Sequence, residues 1–232
     1  MNPQAPDLWH RYGSAEASTH GSAPVAFSWS WGQDCGPGPE LLGELAGLRV
    51  ADLGAGAAQL AAYLADRHPK ALVDAVDASP AQHARAVALF GHLAPQLRLV
   101  HADVTEHLTS RPASYYVLYS VFGAVDFTDP RRLLPAAAAA LRPGGRLVFS
   151  TLGHYVGGAP AEHRVVPADL PVRGPDGCPA VLRRWVLQER VWVRLLEEAG
   201  LTTVSAVALP ARYSGTRTAD TLLLQARRPV SP

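Results

Sequence analysis

Three carboxylates stand at matching stations in the first half of the chain: Asp52 in VADLGAGAAQ, Asp77 in VDAVDASPAQ and Asp103 in HADV. Each follows a short apolar run rich in β-branched residues, and Asp52 is followed at once by Gly54 and Gly56. A carboxylate at a strand tip can accept both hydroxyls of a ribose, and an acid further along the same line can accept from an exocyclic amine. Glycines beside them let the backbone approach a ligand closely and tolerate positive φ. The chemistry these residue types suit is the holding of a nucleoside. Asp74 competes with Asp77 but lies three residues earlier in the same run, so alternation sends it to the opposite face. Asp103 taken alone reads equally well as a helix cap.

These acids need a frame that aligns strand ends. Apolar runs at 48–53, 71–77, 97–104, 115–122 and 146–152 read as strands. Helical patterns fall between them at 57–68, 79–93 and 129–145, with Ser79 as an N-cap before Pro80, and Gly144-Gly145 closing the third. Strands alternating with helices imply a parallel sheet covered on both faces. A short helix is expected over 38–46, after Gly-Pro-Gly-Pro. Residues 153–181 are Gly/Pro-rich and read as loop, 189–200 as a helix, and 201–209 and 221–227 as strands joined only by a loop, hence antiparallel. The N-terminal segment, 1–38, is polar but carries Trp9, Tyr12, Phe27, Trp29 and Trp31. The expected division is an N-terminal lid or substrate segment, 1–38, and one domain, 39–232, with a substrate-side insertion at 153–185.

Bulk properties narrow the ligand. Hydrophobic residues are 48% and charged residues 18%, with 21 basic against 20 acidic side chains. No Lys/Arg run offers a basic face for nucleic acid. The two cysteines, Cys35 and Cys178, form no C-x-x-C unit, so no metal site is expected and free thiols in a reducing cytoplasm are. Neither a signal pattern nor a run near the ~20 apolar residues of a membrane span is present, which points to a cytoplasmic protein without membrane contact. A dinucleotide fingerprint starting at Gly54 would end on Gln59, which is not the small residue it needs, and no G-K-[ST] triplet marks a P-loop.

The succession VADLGAGAAQ, VDAVDASPAQHARA, HADV, YYVLYSVF and LRPGGRLVFS resembles the class I S-adenosylmethionine-dependent methyltransferase family over roughly residues 40–152. That resemblance implies a Rossmann-like, doubly wound seven-stranded sheet, mostly parallel, with an antiparallel C-terminal hairpin. It implies S-adenosylmethionine as cofactor and S-adenosylhomocysteine as product. It places Asp52, Gly54, Ala55 and Gly56 along the methionine portion, Asp77 on the ribose, Ala78 beside the adenine, Asp103 and Val104 flanking it, and Ser120 and Val121 at the mouth facing the methyl group. The chain departs from the family pattern at Ala58, where a third glycine is usual, and at Ser114-Tyr115-Tyr116, where the fourth strand usually begins with an acid. No N-P-P-Y-like tetrapeptide follows that strand, which argues against nucleic-acid or protein-amide substrates.

A sulfonium methyl needs an aligned, dehydrated nucleophile more than a catalyst. Orientation alone supplies ~7–11 kcal/mol. Candidate catalytic groups are His154, as a loop base after the fifth strand, and Tyr119; Asp126 reads first as a turn or cap residue. Tyr12, Trp29, Trp31 and Tyr155 are candidate lid and substrate residues, with Trp29 and Trp31 on one side if FSWSWG is extended. Arg183 and Arg184 could meet an acidic substrate, though surface arginines are usually solvated. The function expected is methyl transfer to an O, N or C nucleophile of a small molecule, in secondary metabolism, by a monomer or homodimer. The alternatives are a cofactor-binding protein with a non-methyl reaction or regulatory role, and an NAD-dependent oxidoreductase.

Overall fold

The computed structural model describes residues 7–10, 26–33, 36–213 and 218–230. The strands and helices run β1 (Arg49–Leu53), α1 (Gln59–Arg67), β2 (Leu72–Asp77), α2 (Pro80–Phe90), β3 (Leu97–His101), α3 (Val104–Thr109), β4 (Tyr115–Val121), α4 (Ala124–Phe127), α5 (Pro130–Ala140), β5 (Leu141–Leu152), β6 (Ala168–Arg173), β7 (Pro179–Arg184), α6 (Glu189–Glu198), β8 (Thr202–Leu209) and β9 (Thr221–Arg227). Seven strands form one sheet in the order β3-β2-β1-β4-β5-β9-β8. The pairings from β3 to β5 are parallel. β9 is antiparallel to both β5 and β8. This is the doubly wound Rossmann-like sheet with its antiparallel C-terminal hairpin. The order reverses between β1 and β4, and in an open α/β sheet ligands bind outside the carboxyl ends of the strands at such a reversal.

Each sheet face buries its own core. Leu53, Leu118, Phe149 and Trp192 belong to one cluster, under α3, α5 and α6. Val50, Tyr119, Val148, Phe27 and Trp29 belong to the other. Alternation along β1, β4 and β5 assigns neighbours to opposite clusters, as the pleat requires. Asp74 sits at the amino half of the sheet, where its Oδ2 accepts from Arg98 at 2.5 Å and from Tyr115 at 2.6 Å, with Arg49 Nε at 3.3 Å. Its carboxylate is consumed tying four strands together, far from the role of Asp77.

Several expected boundaries move. The third long helix stops at Ala140 instead of reaching Gly145, because Pro143 disfavours helical backbone at Arg142, and β5 begins directly at Leu141. The expected helix at 38–46 is a single 3-10 turn, Pro39–Leu42, ended by Gly43 at φ 73°. HADV ends in a helix start: Asp103 caps α3. The stretch 153–181, expected to be loop, contains β6 and pairs with β7 in a separate two-stranded sheet. Pro171 is tolerated there because each strand of a two-stranded ribbon has an open edge. The Pro175-Asp176-Gly177 turn joining the two strands is a turn signal visible in the sequence.

Gly54 shows how tightly the switch point is built. It adopts φ 80°, and a Cβ there would lie 2.2 Å from Ala124 N at the start of α4. The glycine lets β1 and the turn after β4 touch backbone to backbone. Gly54→Ala is therefore expected to cost about 2–3 kcal/mol in urea unfolding. An unchanged midpoint would mean that the contact is not made.

Candidate active site

At the switch point Asp52 on β1 lies opposite Tyr119 on β4. Both are enclosed, with Asp52 3% exposed and Tyr119 0%. Burial, and secondarily the negative Asp77, push the Asp52 carboxyl up to about 7; the Tyr119 hydroxyl opposes the rise. Burial also holds the Tyr119 phenol well above its ordinary range. Tyr119 Oη has no hydrogen bond of normal geometry. Phe27 and Trp29 close over it, with ring centroids 5.8 and 6.3 Å from that of Tyr119.

The Asp52 shift sets a pH dependence. The unfolded chain loses this proton near 3.8 and the folded chain near 7. Over that window the folded state binds more protons, so its stability falls as pH rises, and levels off above about 7. Asp52→Asn is expected to flatten this slope and to stabilise the ligand-free protein at pH 8 by on the order of 3 kcal/mol. Denaturant titrations at pH 5 and pH 8 measure it; an unaltered pH slope would show that Asp52 does not titrate as described.

Asp77, at the tip of β2, organises the glycine turn beside it. Its Oδ2 accepts from Gly56 N at 2.7 Å and its Oδ1 from Ser79 N at 2.8 Å. One carboxylate thus fixes the glycine turn and the start of α2, and each oxygen keeps acceptor capacity. Burial raises its pKa, and the two N–H donors oppose that rise. Gly56 has φ 55°, and a Cβ there would meet only Gln82 Oε1, at 3.9 Å, so open space lies above it. Ala55 donates its N–H to Val76 O at 3.1 Å, and exposed Ala78 accepts from His101 Nε2 at 3.1 Å. Ala58, in place of the usual third glycine, takes the left-handed φ of 63° that a glycine would have held, directly before α1.

Other expected site residues land differently. Asp103 is exposed, and its Oδ1 accepts from Glu106 N at 3.0 Å, so the role visible in the fold is the helix cap. Val104 is buried in the core beneath it. Ser120 faces inward and not toward a mouth: it is fully buried, donates to Leu53 O at 2.7 Å and accepts from Val125 N at 3.4 Å. It bolts β1 to α4. Val121 is half-buried against the second cluster. His154 is corrected from loop base to loop brace. Its Nδ1 lies 2.9 Å from Tyr155 O and its Nε2 accepts from Asp220 N at 3.1 Å. Both ring nitrogens are thereby engaged. Tyr119 is likewise sealed inside the core and reaches no opening.

The aromatic segment separates. FSWSWG is not a strand, because the chain turns at Ser30–Gln33, where Gln33 N donates to Ser30 O at 3.0 Å. Trp29 therefore sinks into the core, 0% exposed, with its indole N–H on Gly38 O at 2.8 Å. It is packing and not an open lid face. Trp31 stays half-buried, its N–H on Thr221 Oγ1 and its ring 5.1 Å from that of Phe122. Tyr155 is half-buried in the same cluster, and its hydroxyl donates to Glu162 Oε1 at 3.4 Å. Tyr12 lies outside the described residues.

Residues 7–10, within the expected N-terminal lid segment, form a strap. Asp7 Oδ2 accepts from Ser79 Oγ at 2.9 Å and Ala81 N at 3.2 Å, and Gln82 Nε2 donates to Trp9 O at 2.9 Å. The Trp9 ring meets Phe127 edge-on at 4.6 Å. The strap so joins the start of α2 to α4, beside Asp77. Asp126 and Arg184 form a second unforeseen element. Arg184 donates to Asp126 Oδ2 from Nε at 3.1 Å and from Nη2 at 2.5 Å, both side chains being buried.

Residues 50–145 match the family model described as a methyltransferase domain. The chain is 34% identical over 115 residues to the ubiquinone biosynthesis O-methyltransferase of Klebsiella pneumoniae, a match covering 49% of this chain and 46% of the relative. It is 34% identical over 120 residues to the trans-aconitate 2-methyltransferase of Deinococcus radiodurans, covering 52% and 43%. The chain thus spans about half the length of the curated relatives it matches. In fold it is similar to a crystal structure of an S-adenosylmethionine-dependent methyltransferase from Mesorhizobium loti, with TM-score 0.60, 23% identity and 81% and 94% of the two chains covered. A second similar structure is the Burkholderia thailandensis 1,6-didemethyltoxoflavin-N1-methyltransferase with its substrate and S-adenosylhomocysteine bound, with TM-score 0.57, 21% identity and 82% and 74% coverage. Among the described residues, no helix is long and apolar enough to cross a membrane.

Proposed function

We propose that the protein transfers the methyl group of S-adenosylmethionine to an oxygen, nitrogen or carbon nucleophile of a small molecule. The observation that carries this reading is Asp77: a strand-tip carboxylate that holds Gly56 and the α2 start while keeping acceptor capacity toward the open space over the glycine turn. The residues present fit the cofactor. Asp77 would take the ribose hydroxyls, Gly54 to Gly56 would run beside the methionine portion near Asp52, and Ala78, Asp103 and Val104 would border the adenine. When bound, the cofactor supplies an electrophilic methyl group on a sulfonium.

The chain's own contribution is binding, alignment and exclusion of water. Phe27 and Trp29 seal one side of the switch point, and the Asp7–His10 strap spans α2 to α4 on the other. His154 is held by Tyr155 and Asp220, and Tyr119 is sealed inside the core, which favours transfer by proximity and orientation. We place the N-terminal segment as a lid over the cofactor and residues 153–185 as the acceptor's wall. The similarity to a ubiquinone biosynthesis O-methyltransferase, to a trans-aconitate 2-methyltransferase and to a methyltransferase with bound 1,6-didemethyltoxoflavin supports a small-molecule acceptor. We place the reaction in natural-product metabolism, in the cytoplasm.

Calorimetry with S-adenosylhomocysteine and with NAD tests the cofactor. A ligand at 100 times its dissociation constant also stabilises the fold by ~2.7 kcal/mol in thermal unfolding. Binding of S-adenosylhomocysteine alone is expected, and binding of NAD alone would overturn the reading. Formation of S-adenosylhomocysteine with an acceptor separates methyl transfer from a purely regulatory cofactor site.

A further inference from the structure

The amino end of the sheet, opposite the glycine turn, gathers positive charge around one acid. Asp74 is 1% exposed, and its Oδ2 lies 2.5 Å from Arg98 Nη2, 2.6 Å from Tyr115 Oη and 3.3 Å from Arg49 Nε. Strand register brings these groups together: Arg49 opens β1, Arg98 pairs with Asp74 across β2 and β3, and Tyr115 opens β4. Tyr115 Oη also lies 2.7 Å from Nε2 of His107, on α3. Arg111 stands just past α3, with its backbone N–H on Leu108 O at 3.0 Å. The three arginines act on one imidazole. Burial first, then Arg111 and, more weakly, Arg98 and Arg49, hold His107 below the ordinary histidine pKa, and Asp74 opposes them.

Charge does not balance here. Among the described residues, Asp74 is the one carboxylate in ion-pair reach of Arg49 and Arg98, and Arg111 has no ion pair. Three fixed cations therefore face one anion, and two guanidiniums crowd a single oxygen of it. The Nε–H groups of Arg49, Arg98 and Arg111 are all buried, and none makes a hydrogen bond; the Arg49 contact with Asp74 is an ion pair without hydrogen-bond alignment. Buried donors without an acceptor are uncommon, and each calls for a partner. The same side chains still reach solvent: Arg49 and Arg98 are 34% and 40% exposed, and Arg111 is half-buried. Arg183 shows the contrast, since it is mostly exposed and stands 3.8 Å from its own acid, Asp169.

We propose that Arg49, Arg98 and Arg111 form a binding site for a soluble phosphate or diphosphate anion, at the end of the sheet away from the glycine turn. A guanidinium carries five N–H donors in a planar fork that matches phosphate oxygens. Asp74 engages one edge of Arg98 and of Arg49, which fixes both groups and leaves donors over. The two uncompensated positive charges match a doubly charged anion better than a monocarboxylate. The site shares no residue with Asp52, Gly54, Gly56 or Asp77, so it stands apart from the methyl-transfer reading. An anion seated there offsets the arginines that depress His107, so the imidazole reports on occupancy.

The test is calorimetric titration of pyrophosphate into the full chain, with and without S-adenosylhomocysteine, against sodium chloride of equal ionic strength as the blank. Pyrophosphate is expected to bind at one site with the same affinity in both cases, and to raise the His107 pKa read by proton NMR. Arg111→Gln is expected to weaken pyrophosphate by about tenfold or more, since it removes charge-assisted donors. It should leave the unfolding midpoint nearly unmoved, because that side chain makes no ion pair. Arg111→Lys keeps the charge without the fork and should fall between; it also carries the test if Arg111→Gln folds poorly. Arg183→Gln should change nothing. Heat no larger than the chloride blank, affinity unmoved in Arg111→Gln, or a His107 pKa unmoved by pyrophosphate would each overturn the proposal. Displacement of pyrophosphate by S-adenosylhomocysteine would place the anion at the glycine turn and overturn it too. So would sedimentation with phosphatidic-acid vesicles in the absence of any pyrophosphate binding.

Discussion

Asp77→Ala is expected to weaken S-adenosylhomocysteine binding by about a hundredfold or more. Hydrogen bonds to a charged acceptor contribute roughly 1.5–3 kcal/mol each, and two ribose hydroxyls lose theirs together; every 1.4 kcal/mol is tenfold. The substitution also strips Gly56 N and Ser79 N of their acceptors, so the turn that faces the methionine portion loosens as well. Asp77→Asn separates the two contributions, because an amide oxygen still accepts one of those bonds while the charge is gone. Its affinity should fall between wild type and Asp77→Ala. The measurement is calorimetry well below the variant's unfolding temperature. Affinity within a few-fold of wild type in Asp77→Ala would remove the acid from the cofactor site and with it the main support for the proposed function.

Arg184→Met is expected to cost about 3–5 kcal/mol of stability, because it leaves Asp126 as a buried carboxylate without its counter-charge. For a domain of this size each kcal/mol moves Tm by roughly 2–4 °C. The loss should depend on pH in a definite sense. Burial already raises the Asp126 pKa and Arg184 opposes the rise, so deleting Arg184 raises it further. In the variant the folded chain then keeps this proton to higher pH than the unfolded chain does. The variant's deficit should shrink as pH falls toward the ordinary carboxylate range and be largest at pH 8. Asp126→Asn added to Arg184→Met should recover much of the loss at pH 8, which a thermal-unfolding double-mutant cycle reads directly. A deficit independent of pH would assign the effect to lost ring packing around the guanidinium instead.

Much of the frame was legible in the chain because it rests on local rules. The alternation of apolar runs with Ser79-capped and Asp129-capped helices required a parallel sheet, and the loop between the last two strands required an antiparallel pair. Asp77 over Asp74 followed from strand alternation alone. Glycine at 54 and 56 marked a turn that needs positive φ, and both residues adopt it. Even the β6–β7 hairpin had its signal in the Pro-Asp-Gly turn, masked by the Gly and Pro around it.

What the chain does not display is which polar group each polar side chain will find. His154 has the type and place of a base, yet Asp220, sixty-six positions away, supplies the N–H that occupies its second nitrogen. Ser120 was expected at a mouth and is instead turned inward onto a β1 carbonyl. Arg184 reads as a surface charge until the fold sets Asp126, Trp31 and Phe127 around it. Periodicity and turn chemistry depend on neighbours within a few residues, so the residues themselves determined the sheet, its direction of winding and the acids at its strand tips. Burial, tautomer and charge compensation depend on atoms brought close from distant parts of the chain. Only the tertiary structure decided them, and they separate the groups left open to a ligand from those that merely hold the fold together.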